Sequence, residues 1–277
     1  MNSAMLFGGI DLAWGEGSDE RRAAESGVVA LSAMGEIVDA GWTCGIGETV
    51  EWVERVAPAG MLLFVDAPLV VDNATGQRVC ERQTGQRYGR WKVSANTTNL
   101  GSRYLGGVTL RRELESRGWR YDDGRTGPPA RGRVVSECYP YTTLVGVAEL
   151  GYDVERPRYK RAPKGMLARM WKPLRAVACD DLIRRLAALA GSDPPIDLRS
   201  HAETRRLVDE PSPLERVAYK HREDLIDAVI SAWTASFWHR HGLVRCQVLG
   251  LPEMEEPAVA TIIAPARPEQ RAPRLRG

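Results

Sequence analysis

Hydrophobic positions along this chain fall in short runs broken by glycine, proline and polar turns, a pattern that predicts alternating strands and helices. Residues 6–14 read as a buried strand that ends in a polar, Gly-rich turn. Residues 26–33 read as a second strand, Met34-Gly35 as a tight turn and residues 36–43 as a third strand, so the chain opens with an antiparallel meander. Val50, Val53 and Val56 stand at helical spacing within residues 46–56, and Pro58 and Gly60 end that helix. The apolar run over 61–69 is a fourth strand closed by Pro68, and strand–helix–strand implies a right-handed parallel crossover.

Residues 70–133 depart from this rhythm. They are basic, Gly-rich and mixed, with a helix predicted over 109–117, and they read as an insertion. A fifth strand follows over 133–139, then a second basic stretch over 156–175. A helix over 180–189 carries Leu182, Ile183, Leu186 and Leu189 on its apolar face. The strongest helical signal lies over 223–239, where Leu225, Ile226, Val229, Ile230, Trp233 and Phe237 form one wide apolar stripe. Residues 257–265 read as a short edge strand, and the Pro- and Arg-rich tail over 266–277 is expected to be disordered. The expectation is an α/β domain over 1–265: a mixed five-stranded sheet, antiparallel meander then parallel strands, flanked by helices, with a basic insertion at about 70–132.

With 277 residues, 43 % of them hydrophobic and 27 % charged, the chain can bury a sizeable core. No apolar run approaches the ~20 residues that a membrane-spanning helix needs. The first residues have no basic lead and no small-residue cleavage pattern, so no signal peptide is expected. Five widely spaced cysteines without a Cys-x-x-Cys pair argue against a disulfide framework or a zinc ribbon, and the expected location is cytoplasmic.

The net charge of +2 hides an uneven distribution. Residues 70–133 hold 13 Lys and Arg against 6 Asp and Glu, and residues 156–175 hold 8 basic residues and no acid. Such segments suit a polyanion, with nucleic acid the expected partner. They also carry Tyr88, Trp91, Tyr104, Trp119, Tyr121, Tyr159 and Trp171. These aromatics either stack on the bases of a single strand or fill a satellite core.

Acids then stand where apolar sequence should have none. Asp11 interrupts the first strand, Asp66 ends the fourth, Glu137 lies in the fifth, and Asp224 and Asp227 sit three apart on the last helix. Each alone could be a cap or a salt-bridge partner, Asp224 above all, because it lies near a helix start. As a set on successive elements they point to one place, since parallel sheets gather functional groups at the carboxyl ends of their strands. Carboxylates that close raise one another's pKa unless a cation compensates, and hard oxygen donors suit Mg²⁺ or Mn²⁺. Two such ions ~4 Å apart can activate water and stabilise the leaving oxygen in phosphodiester cleavage. Asp11, Asp66, Glu137 and Asp227 are thus the expected metal and catalytic residues, with Asp224 in support. Lys160, Lys164 and Arg169 are expected to position the substrate's phosphates.

The segments Gly9-Ile10-Asp11-Leu12-Ala13-Trp14, Val65-Asp66-Ala67-Pro68-Leu69, Glu137-Cys138-Tyr139-Pro140 and Asp224-Leu225-Ile226-Asp227-Ala228 resemble the motifs of domain-of-unknown-function family 429. The resemblance implies an RNase H-like fold and a nuclease. The last motif is also similar to the closing helix of Holliday-junction resolvases. That likeness implies Asp11, Asp66 or Glu137, and Asp227 as ligands, the middle position being open between two residues. Lys164-Gly165 with Arg169 resembles a further family pattern ahead of a helix.

Two other functions compete with a metal-dependent nuclease. One is a phosphotransferase or ATP-binding protein on the related sugar-kinase-like fold, for which residues 14–18 would form a phosphate turn; the chain has no second phosphate hairpin and no duplication. The other is a non-catalytic nucleic-acid-binding module. His221 near Asp224 is either a proton shuttle or a surface group at a helix start. Neither a Walker A sequence nor a Gly-x-Ser-x-Gly elbow occurs.

Overall fold

The computed structural model describes residues 5–17, 23–163, 165–250 and 260–271. Strands β1 (Leu6–Asp11), β2 (Glu25–Leu31) and β3 (Ile37–Cys44) form the expected meander. Helix α1 (Gly45–Val56) then carries the chain to β4 (Met61–Val65), which pairs parallel to β1. Next come α2 (Val79–Tyr88), α3 (Gly106–Ser116), the two-residue strand β5 (Arg120–Tyr121), β6 (Val134–Glu137) and α4 (Pro140–Gly146). Helices α5 (Ala168–Ala188), α6 (Ala202–Asp209) and α7 (Arg216–Arg245) follow, and β7 (Cys246–Leu249) and β8 (Ile262–Pro265) close the described chain.

The sheet has six strands, not five, in the order β3-β2-β1-β4-β6-β5. The extra strand is β5, parallel to β6 and too short to leave a periodic signal. The expected edge strand over 257–265 is represented by β8, which pairs with β7 in a separate two-stranded sheet; residues 257–259 lie outside the described residues. The helix expected over 180–189 is the second half of α5. Of the expected tail, residues 266–271 are held in place: Gln270 is buried and donates to the Val145 carbonyl, and Arg271 caps the Leu243 and Val244 carbonyls. Residues 272–277 lie outside the described residues. Among the described residues, no two cysteines are joined in a disulfide. Among the described residues, no helix is long and apolar enough to cross a membrane.

Alternation along the central strands sorts their side chains onto two faces. Phe7, Leu62 and Phe64 look toward α7, while Ile10, Leu63, Val65 and Val135 look toward α1 and α3. The residues at 70–133 supply both cores. Cys80, Tyr88 and Trp91 join the α7 side, and Leu110, Leu114 and Trp119 join the other. Most of the aromatics in the basic segments are therefore core residues rather than a stacking surface; Tyr104 stays exposed.

Helix α7 is buried continuously from Arg222 to Trp238, with the sheet beneath and α4, β7 and β8 against its other sides. A helix that is apolar nearly all round belongs in such a position. Its contact with the sheet is backbone-close. A Cβ added at Gly9 would fall 2.1 Å from the Ala228 carbonyl oxygen, and one at Gly27 would fall 2.2 Å from that of Asp224. Gly9→Ala is therefore expected to lower stability by about 3 kcal/mol through overpacking against an unyielding backbone, as read by urea denaturation. An unchanged denaturation midpoint would contradict this packing.

Candidate metal centre

The close approach of α7 decides which acids meet. β1 ends at Asp11, and Asp66 follows the last residue of β4, its amide donating to the Ile10 carbonyl at 2.8 Å. Both acids share the parity of Phe7 and Phe64, so both lie on the α7 side of the strand ends. Asp227 comes down onto them from the middle of α7. Carboxylate oxygens of Asp11, Asp66 and Asp227 all lie within 4.8 Å of one another. Asp227 is fully buried, and the other two are half-buried.

Glu137, expected as a ligand, is engaged elsewhere. In the parallel register it pairs with Val65, so it shares that residue's face and not that of Asp66. Both of its oxygens accept from the buried Arg78 guanidinium, at 2.7 and 2.8 Å, and one also accepts from the Leu69 amide at 2.9 Å. Arg78 in turn pairs with Glu81, which accepts from the Thr98 amide. This network ties the segment leading into α2 to the end of the sheet, and Asp66 rather than Glu137 lies beside Asp11 and Asp227. Cys138, one residue on, packs on the α7 side as a core residue.

Asp224 lies one turn before Asp227, hydrogen-bonded to Asp11 and ion-paired with Lys220. Lys160, expected to hold substrate, forms an ion pair with Asp227. The other oxygen of Asp227 accepts from the Tyr159 hydroxyl at 2.5 Å. Arg169 stands exposed on the first turn of α5 and does not line the cleft over the acids. Lys164 lies outside the described residues. His221 stacks on Trp42 at 3.5 Å and pairs with Glu25, so its ring is committed to the sheet edge. The proposed phosphate turn is also occupied: Glu16 accepts from the Thr109 hydroxyl, and the Trp14 carbonyl from the Gly106 amide; Ser18 lies outside the described residues.

Burial dominates the electrostatics. It lifts the Asp66 carboxyl well above the ordinary carboxylate range; Lys160 opposes the rise, and Asp11 and Asp227 add to it. Burial likewise takes Asp227 to about 7 against the pull of Lys160. Burial and then the charge of Asp11 take Asp224 to about 8. Burial works against the charge on Lys160, yet Asp227, Asp11 and Asp66 keep its pKa well above the usual lysine value. Three clustered carboxylates short of positive charge are a donor set for a hard cation.

The cleft lined by Asp11 and Asp66 has a volume of about 480 Å³ and is also lined by Arg156, Lys160, Arg161 and Lys220. Sequence reasoning missed Arg156, Arg161 and Lys220, and gave Tyr159 a stacking or core role rather than a bond to Asp227. Of these only Lys220 had a local signal, four residues before Asp224 on one helix face. A second hollow of about 630 Å³ shares Asp11, Trp14 and Lys220 with the first.

Fold and site together define an α/β protein whose mixed sheet carries a buried acidic triad able to hold a metal ion. The chain belongs to the family described as protein of unknown function (DUF429), whose model matches residues 9–250. No curated protein and no solved structure matches it.

The raised carboxyl pKa values have a consequence for stability. A native carboxyl that titrates above its unfolded value of 3.8 keeps a proton that the unfolded chain has released, so its contribution is lost as pH rises. Without divalent cations, stability is expected to fall from pH 4 to 8, by up to about 1.4 kcal/mol per pH unit for each group in its own window. Asp224→Asn is expected to flatten that slope in urea denaturation measured across the range. A slope unchanged by the substitution would contradict the shift.

Proposed function

We propose that this protein is a divalent-metal-dependent nuclease built on an RNase H-like core. The observation that carries the reading is the convergence of Asp11, Asp66 and Asp227 within 4.8 Å at the carboxyl ends of β1 and β4. The strand order β3-β2-β1-β4-β6, with β2 antiparallel to both neighbours and β1, β4 and β6 parallel, supports the core assignment.

The donors are all carboxylate oxygens, which favours Mg²⁺ or Mn²⁺ over softer metals. A divalent cation held there would supply Lewis-acid activation of water and neutralise charge building on a phosphodiester. The chain's own residues do the rest. Asp11, Asp66 and Asp227 would hold the cation, and Asp224 is hydrogen-bonded to Asp11 beside them. Tyr159 fixes Asp227 through its hydroxyl. Arg156 and Arg161 bring positive charge to the cleft, where phosphate oxygens of a nucleic acid would lie.

Calorimetric titration of Mn²⁺ into the wild type and Asp11→Asn tests this reading, with labelled DNA, RNA, junctions and ATP assayed alongside. The expected result is saturable Mn²⁺ binding and cleavage of a nucleic acid, both lost in Asp11→Asn. Turnover of ATP without cleavage would favour a phosphotransferase. Neither binding nor turnover would leave a non-catalytic module and overturn the proposal.

A further inference from the structure

Asp227 has no idle oxygen. One accepts from Tyr159 and the other is paired with Lys160. The two donors differ in how firmly they are held. Tyr159 is fully buried, and its carbonyl accepts from the Tyr219 hydroxyl at 2.6 Å, so its ring and main chain are both fixed. Lys160 is the next residue, in a stretch without helix or strand, and its side chain is 18 % exposed to the cleft. Its ammonium lies 5.1 Å from the Tyr141 ring centre and 5.7 Å from that of Tyr159. Its charge acts on Asp11 and Asp66 as well as on Asp227. One ammonium thus stands among the three carboxylates where a cation belongs.

A divalent cation and this ammonium compete for the same oxygen of Asp227. Two positive centres on one carboxylate oxygen in a buried site repel strongly, whereas a lysine can leave on its flexible four-carbon stem. We infer that Lys160 is a tethered counter-cation: a divalent ion displaces it from Asp227, and the freed ammonium joins Arg156 and Arg161 as a ligand for the substrate's phosphate. The inference rests on the metal-dependent reading above and adds an exchange step to it. Tyr159 keeps its hydrogen bond throughout, so Asp227 stays oriented while its cation changes.

Two measurements test the exchange. In calorimetry, Lys160→Met is expected to bind Mn²⁺ about tenfold more tightly than the wild type, because the competitor is gone. In the wild type, acetylation of Lys160 by an amine-reactive reagent, followed by mass spectrometry, is expected to be slow without Mn²⁺ and several-fold faster with it. The labelling needs no substitution, so it decides the matter even if Lys160→Met folds poorly. Mn²⁺ binding by the wild type with unchanged Lys160 labelling would overturn the exchange and leave the metal site standing. So would equal or weaker binding by a folded Lys160→Met. Absence of Mn²⁺ binding in both proteins would overturn the metal reading and the exchange together.

Discussion

The backbone of α7 lies directly on the backbones of β1 and β2, and the candidate site depends on that contact. Gly9 and Gly27 make it possible, since neither position has room for a single added carbon. A helix held at ordinary side-chain distance would stand several ångströms further from the sheet, roughly 8–10 Å being the common helix packing separation. Asp227 could not then reach the ends of β1 and β4. The same contact explains why α7 is apolar on nearly every side and yet carries Asp224 and Asp227 in its buried stretch.

Bringing three acids together creates the problem that the surrounding residues address. Buried carboxylates either take up protons or find positive charge. This cluster does both: Asp66 and Asp227 titrate high, and Lys160 supplies one ammonium. Glu137, only one residue out of phase with the face that looks toward α7, has a different solution. A buried arginine satisfies it in full, and the chain between β4 and α2 is anchored in return. Two acids of similar sequence context therefore serve different ends, one in a cluster short of positive charge and one in a closed ion pair.

Much of the frame was legible because its signals are local. The meander, α1, β4 and α7 are encoded by runs and periodicities within their own segments, and the acids stood out against apolar neighbours. The six-membered strand count was not legible, because β5 is two residues long and exists through its neighbour β6. The basic stretch at 70–133 reads as an appended insertion because its buried Arg78 is satisfied by Glu137, which lies beyond the stretch. Its aromatic residues looked like a stacking surface for the same reason: composition shows an aromatic residue but not which core receives it. Glu137 reads as a ligand because it is an acid inside the apolar fifth strand. Strand parity with Asp66 was the signal that separates them, and it needs the register between β4 and β6, which one chain does not display.

Anomalous diffraction from crystals soaked in Mn²⁺ tests the central claim most directly, because manganese scatters anomalously and carbon, nitrogen and oxygen do so negligibly. The account predicts an anomalous peak coordinated by Asp11, Asp66 and Asp227, absent in Asp11→Asn, with Glu137 still paired to Arg78. Well-ordered acids without a peak at saturating Mn²⁺, or a peak elsewhere on the molecule, would contradict it.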